Sequence, residues 1–138
     1  MKGTVTDGFV LDASVALCWA FDDEDQLMAQ QALGAAGRGG AVAPIVWWYE
    51  IRHGLLAGER RGRLTAARSA EFLDHLQQLP IKLRFDAAPG SLLPLARTYG
   101  LSAYDASYLE LAQRLELRLA TLDRHLAAAA QAAGIPLL

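Results

Sequence analysis

Two short apolar runs, each leading to an aspartate, constrain this chain most. Gly8-Phe9-Val10-Leu11 ends at Asp12, and Leu117-Arg118-Leu119-Ala120-Thr121 leads through Leu122 to Asp123. Short runs that are apolar throughout read as strands buried on both faces, the kind found in parallel sheets. Helix-like stretches lie between the strand-like ones, which implies parallel pairing with helices over both sheet faces. In an open parallel sheet, ligands bind outside the carboxyl ends of the strands. Asp12 and Asp123 therefore point at one rim.

The remaining elements follow from periodicity and breakers. Ser14 can cap a first helix, and a second is expected from about Asp22 to Ala36, stopped by Gly37-Arg38-Gly39-Gly40. Ala41-Val42-Ala43 reads as a strand closed by Pro44. Ile45 to Ala57 reads as a helix carrying Glu50 and broken from Gly58 onward. Thr65 to Gln78 reads as amphipathic, with Ala66, Ala70, Leu73 and Leu76 as its apolar stripe and Arg68, Glu71, His75 and Gln78 facing water. Ile81 to Phe85 alternates as a strand. Helices are expected from about Gly90 to Tyr99 and Ala103 to Glu116, then strand Leu117–Ala120 and helix Leu122–Ala133, capped by Gly134. Ile135 to Leu138 suggests a short edge strand.

With 138 residues, no repeat and no linker, the chain is expected to form a single domain over 1–138, a length that buries roughly two-thirds of its unfolded surface. It has no apolar run of 18 residues, so no transmembrane helix and no membrane partner are expected. Its first residues lack the apolar core of a signal peptide. Cys18 is the sole cysteine, which excludes an internal disulfide and makes a reducing cytoplasm the expected compartment. The net charge of −2 argues against strong nonspecific nucleic-acid binding. It hides an asymmetry, however: Arg52, Arg60, Arg61, Arg63 and Arg68 share one segment, while Asp22, Asp23, Glu24 and Asp25 form a separate block. A phosphate-backbone ligand is therefore permitted.

Four carboxylates stand apart from the rest. Asp12, Glu50, Asp105 and Asp123 all have apolar neighbours, where an unpaired carboxylate is costly. Each has a structural reading on its own: Asp12 as a strand end or cap, Glu50 as a partner of Arg52 or a distant arginine, Asp105 in a capping box with Ser102, Asp123 in the first turn of a helix. Taken together, they would repel one another unless a cation intervened, and hard oxygen ligands suit Mg²⁺ or Mn²⁺. Zinc is disfavoured, because there is no cysteine cluster and His53, His75 and His125 lack a paired spacing. Asp86 also follows a strand but reads as a turn or helix-start residue. Ser14 and Thr121 can either cap or hydrogen-bond a ligand carboxylate or water from behind. Trp47, Trp48 and Tyr49 can stack bases or divide between core and subunit contact. Tyr104 and Tyr108 read as packing or dimer-face residues.

Val10-Leu11-Asp12-Ala13-Ser14, Glu50 in a helix, Leu101-Ser102-Ala103-Tyr104-Asp105-Ala106-Ser107-Tyr108 and Ala120-Thr121-Leu122-Asp123 occur in that order. This pattern resembles the PIN-domain ribonucleases, specifically the VapC-type toxins of toxin–antitoxin pairs, over nearly the whole chain. The resemblance implies a three-layer α/β/α sandwich with a central parallel sheet, an acidic metal site at Asp12, Glu50, Asp105 and Asp123, a homodimer, and an antitoxin that covers the active site. All four acidic positions are filled.

The expected chemistry is metal-assisted hydrolysis of RNA by an endoribonuclease, with Arg52, Arg60, Arg61 and Arg63 as candidates for holding the RNA backbone or as a plain solvated segment. Two other readings remain open: a mainly binding role in an autoregulatory toxin–antitoxin complex on DNA, and a metal-dependent DNA nuclease or phosphatase.

Overall fold

The computed structural model describes residues 8–21, 26–86 and 90–138. Four parallel strands form one sheet in the order β3-β2-β1-β4: β1 (Phe9–Leu11), β2 (Ala41–Pro44), β3 (Ile81–Arg84) and β4 (Arg118–Ala120). Phe9, Val10 and Leu11 are completely buried, as a central strand covered on both faces must be. β1 pairs Leu11 with Ala120 of β4 and Val10 with Val42 of β2. The chain steps outward from β1 to β2 to β3 and then returns across the sheet to β4. With right-handed crossovers, that reversal sends the first helices to one face and the later ones to the other.

The contacts agree with this layering. Helix α1 (Ala13–Cys18) packs on α2 (Leu27–Gly39) and α3 (Val46–Arg60), while α6 (Ala103–Leu115) packs on β1, β2 and β4 and against α5 (Leu92–Tyr99) and α7 (Arg124–Ala132). The result is a three-layer α/β/α sandwich.

Three local expectations are corrected. Gly58 does not break α3, which continues to Arg60. A Cβ on Gly58 would lie 2.7 Å from the Phe21 ring, and one on Gly54 would collide with Leu17. These glycines are there to let α3 approach the α1 segment closely. In α4 (Ala66–Gln77), Ala66 and Ala70 are exposed, while Ser69 and Leu76 are buried and Phe72 and Leu73 half-buried. The inward face turns because the Ser69 hydroxyl donates to Glu59 at 2.6 Å, and alanine discriminates weakly between core and surface. Ser14 is not a cap: it lies inside α1, and Asp12 holds the N-cap position. The expected start of the second helix at Asp22 falls outside the described residues, as does the acidic block from Asp22 to Asp25. Ile135 to Leu138 contributes a single parallel bridge, Leu119 to Leu137, beside β4.

Candidate active site

The site is assembled at the carboxyl rim of β1 and β4. Asp12 follows β1 directly, its backbone N–H donating to the Ala120 carbonyl at 3.0 Å. Its carboxylate makes no cap bond to α1. Instead Ser14 Oγ and Thr121 Oγ1 both donate to Oδ2, each at 2.6 Å. The two hydroxyls are themselves anchored: Ser14 Oγ accepts from the Leu122 N–H and Thr121 Oγ1 from the Asp123 N–H, both at 3.0 Å. Converging on one oxygen, they fix the rotamer and leave Oδ1 to other partners.

Each such bond to a charged acceptor contributes about 1.5–3 kcal/mol, yet together they do not offset the burial. Asp12 is only 6% exposed, and its carboxyl is pushed above the usual carboxylate range, first by desolvation and then by the charges of Asp105 and Asp123. Among the described residues, this acid is surrounded by hydroxyls and other acids and meets no cation.

Glu50 lies half-buried on α3 and is likewise pushed up by burial, then by Asp12 and Asp105. Among the described residues it pairs with no arginine. Its hydrogen bond comes from the Tyr108 hydroxyl at 2.5 Å. Asp105 stands in the first turn of α6, where its backbone N–H caps onto Ser102 Oγ at 3.0 Å. Burial and then Asp123 raise the Asp105 carboxyl, while His125 and Ser102 pull it the other way. Asp123 caps α7, its Oδ1 accepting from the N–H groups of His125 and Leu126 at 2.9 and 3.1 Å.

The four predicted acids therefore share one electrostatic neighbourhood. Asp12 feels Asp105 and Asp123, Glu50 feels Asp12 and Asp105, and Asp105 feels Asp123. They do not form a closed cage: among the described residues, no three His, Cys, Asp or Glu side chains stand close enough together to hold a metal ion by themselves.

The other residues singled out by sequence divide clearly. Ser14 and Thr121 do support Asp12, the second of the two roles open to them. Trp47 is buried, and its indole N–H is the one buried side-chain polar atom without a partner among the described residues. Trp48 and Tyr49 are exposed and meet edge to face at 5.1 Å. Arg52 turns back along its own helix, donating to the Trp48 carbonyl at 3.1 Å with its guanidinium 3.6 Å from the centre of the Trp48 ring. Arg60 and Arg61 are exposed, and Arg63 lies 4.2 Å over the Phe21 ring. An open groove of about 230 Å³ joins Ser14, at the acid site, to Arg61 and Arg63, with Gly54 and Gly58 among its lining.

Asp86 is salt-bridged to Arg84 at 2.7 Å and Arg114 at 2.8 Å, which is neither a metal-site geometry nor a helix cap. Tyr108 is the residue that sequence reading missed. It is completely buried, with burial and the charges of Asp12 and Glu50 all holding its phenol proton in place. A sequence signal existed: a tyrosine one turn from Asp105, flanked by apolar residues, whose hydroxyl must find a partner once buried.

A strand-end aspartate clamped by two hydroxyls and opposed by acids from α3, α6 and the α7 cap thus makes an acidic cluster at the carboxyl rim of an α/β/α sandwich. The chain matches the PIN domain family over residues 9–137 and belongs to it. It is 29% identical over 121 residues to Ribonuclease VapC3 of Pyrobaculum aerophilum, a match covering 86% of this chain and 91% of that protein. The crystal structure of PAE2754 from Pyrobaculum aerophilum superimposes with a TM-score of 0.70 at 26% identity, covering 91% of this chain and 80% of that one.

Proposed function

We propose that this PIN domain is a Mg²⁺- or Mn²⁺-dependent endoribonuclease of the VapC toxin type, with Asp12, Glu50, Asp105 and Asp123 as its metal-binding and catalytic acids. The observation that carries this reading is the gathering of acids around a buried Asp12 that meets no cation among the described residues. Like charges kept together at a cost in stability mark functional sites rather than structural ones.

The donor set fits a hard divalent cation. All four groups offer carboxylate oxygens, Asp12 keeps Oδ1 clear of its two hydroxyls, and Asp123 uses only Oδ1 for its cap. Mg²⁺ keeps several waters and takes one or two carboxylates, so it does not require a closed protein cage. When bound, such a cation lowers the pKa of water and offsets charge developing on the phosphate and the leaving oxygen.

The protein's own contribution is orientation. Ser14 and Thr121 hold Asp12, the α7 amides hold Asp123, and α6 carries Asp105 into the same rim. The scissile phosphate is attacked by water, the bond from phosphorus to the 3′ oxygen breaks, and the products carry a 5′-phosphate and a 3′-hydroxyl. The groove that runs from Ser14 to Arg61 and Arg63 supports a role for these two arginines, with exposed Arg60, in holding the RNA backbone. Arg52, stacked on Trp48, is a further candidate for the same role.

The similarity to Ribonuclease VapC3 supports extending the proposal to a cognate antitoxin that covers the acid site, and to a homodimer. The buried lone Cys18 fits a cytoplasmic location. No helix among the described residues is long and apolar enough to cross a membrane.

The test is cleavage of total RNA by purified, antitoxin-free protein in Mg²⁺ or Mn²⁺, beside EDTA and Asp105→Asn controls. Cutting that leaves 5′-phosphate ends and is lost with EDTA and in the variant is expected. Cutting that survives in Asp105→Asn overturns the assignment of the acids, and single-stranded DNA cut in preference to RNA overturns the substrate.

A further inference from the structure

Asp12 has two hydroxyls to orient it. Glu50, with three side-chain torsions and a half-exposed position, has much more freedom to leave the site, and Asp12 and Asp105 both repel it. The structure supplies it with one hydroxyl from the opposite face of the sheet. Tyr108 on α6 reaches through the core, wholly buried. Its hydroxyl donates to Glu50 Oε1 at 2.5 Å and accepts from the Ala13 N–H at 3.4 Å.

That single oxygen therefore touches three parts of the site. Ala13 is the covalent neighbour of Asp12 and the first residue of α1, where backbone N–H groups lack intrahelical partners. Glu50 belongs to α3. Tyr108 sits three residues after Asp105 on α6, on the same side of that helix. A phenylalanine would fill the same core volume, so packing does not account for the hydroxyl.

We propose that Tyr108 is a positioning residue whose hydroxyl locks Glu50 into register with Asp12 and Asp105, so that the divalent-cation site is set before the cation arrives. The inference rests on the metal-site reading above. Partners that orient metal ligands from behind typically change metal affinity by about 10–100-fold when removed, and the Tyr108 hydroxyl belongs in that range.

The test is titration of the metal-free full-length chain with Mn²⁺ alone, free ion being counted by electron paramagnetic resonance, so that no RNA or turnover enters. Wild type, Tyr108→Phe, Tyr108→4-aminophenylalanine and Tyr108→4-methylphenylalanine are compared, with folding checked by circular dichroism. Tyr108→Phe is expected to bind Mn²⁺ about 10-fold or more weakly. The 4-aminophenylalanine variant, which restores a donor, is expected to recover most of that loss, as a purely steric role would not.

Equal Mn²⁺ affinity in Tyr108→Phe and wild type overturns the proposal while leaving the metal site intact. Should Tyr108→Phe fail to fold, Tyr108→4-methylphenylalanine decides: it fills the place of the hydroxyl without a donor, and undiminished affinity there overturns the proposal too. Wild-type protein that binds no Mn²⁺ overturns the metal-site reading itself, and this inference with it.

Discussion

Asp12 and Asp86 both stand just beyond a strand of the same sheet, at the same rim, and the protein treats them in opposite ways. Asp86 is exposed and gripped by Arg84 and Arg114, which hold its carboxyl down to about 2. Asp12 is buried, receives only hydroxyl donors, and is raised by desolvation and by neighbouring acids. Arg114 also grips Glu110, at 2.6 Å, so on that side each acid's charge is balanced within the fold. At the β1–β4 rim it is not. Position at a strand end is therefore a poor guide to function; the company a carboxylate keeps is a better one.

The largest expected effect separates the two aspartates by activity. Asp12→Asn should lower metal-dependent RNA cleavage by about 100-fold or more, exceeding the loss typical of residues behind the ligands, whereas Asp86→Asn should cleave within about twofold of wild type. Initial rates at saturating Mg²⁺ measure this. Equal losses in both would erase the contrast.

A narrower test addresses the hydroxyls. Thr121→Val keeps the shape at a buried position and removes one of the two donors to Asp12 Oδ2. It also strips the Asp123 N–H of its acceptor. A fall of about 10–100-fold in activity, with the fold retained, is expected from the same rate measurement.

The smallest effect is on stability, and there the signs oppose each other. The folded-state carboxyl of Asp12 lies above its unfolded value of 3.8, so its ionisation penalises the folded state. That penalty is absent below about pH 3.8 and grows as pH rises from there toward the folded pKa. Metal-free Asp12→Asn should therefore melt higher than wild type at pH 7, with the gain vanishing in acid. Asp86 behaves in reverse. Its folded value is depressed from 3.8 to about 2, so the stability it supplies is fully present above the unfolded value and lost as pH falls toward 2. Asp86→Asn should melt slightly lower at pH 7, the difference closing in that window. Thermal melts of both variants from pH 2 to 7 give the two slopes, and slopes of the same sign would refute the comparison.

Much of this was legible in the sequence. The apolar runs before Asp12 and Asp123 gave both the parallel sheet and the rim, and apolar neighbours picked Glu50 and Asp105 out of the helices. What sequence could not supply was the partner of each polar atom. Ser69 looks like a surface residue until Glu59 comes into reach across the α3–α4 turn and accepts from its buried hydroxyl. Gly58 looks like a helix breaker until Phe21, far back in the chain, is seen to need the space. Tyr108 looks like packing, because its bond to Glu50 spans 58 residues and only its place one turn from Asp105 hints at a partner. In each case a long-range contact overrides a local preference.

The placement of Asp12 also sets how such a site can be turned off. β1 is hydrogen-bonded on both sides and buried throughout, which puts it among the segments that open only when a whole protein unfolds. An aspartate one residue beyond it, bonded through its own amide to β4, keeps its aim for as long as the molecule is folded at all. Loosening Asp12 would mean losing the protein. An inhibitor aimed at this acid is left to stand in the doorway.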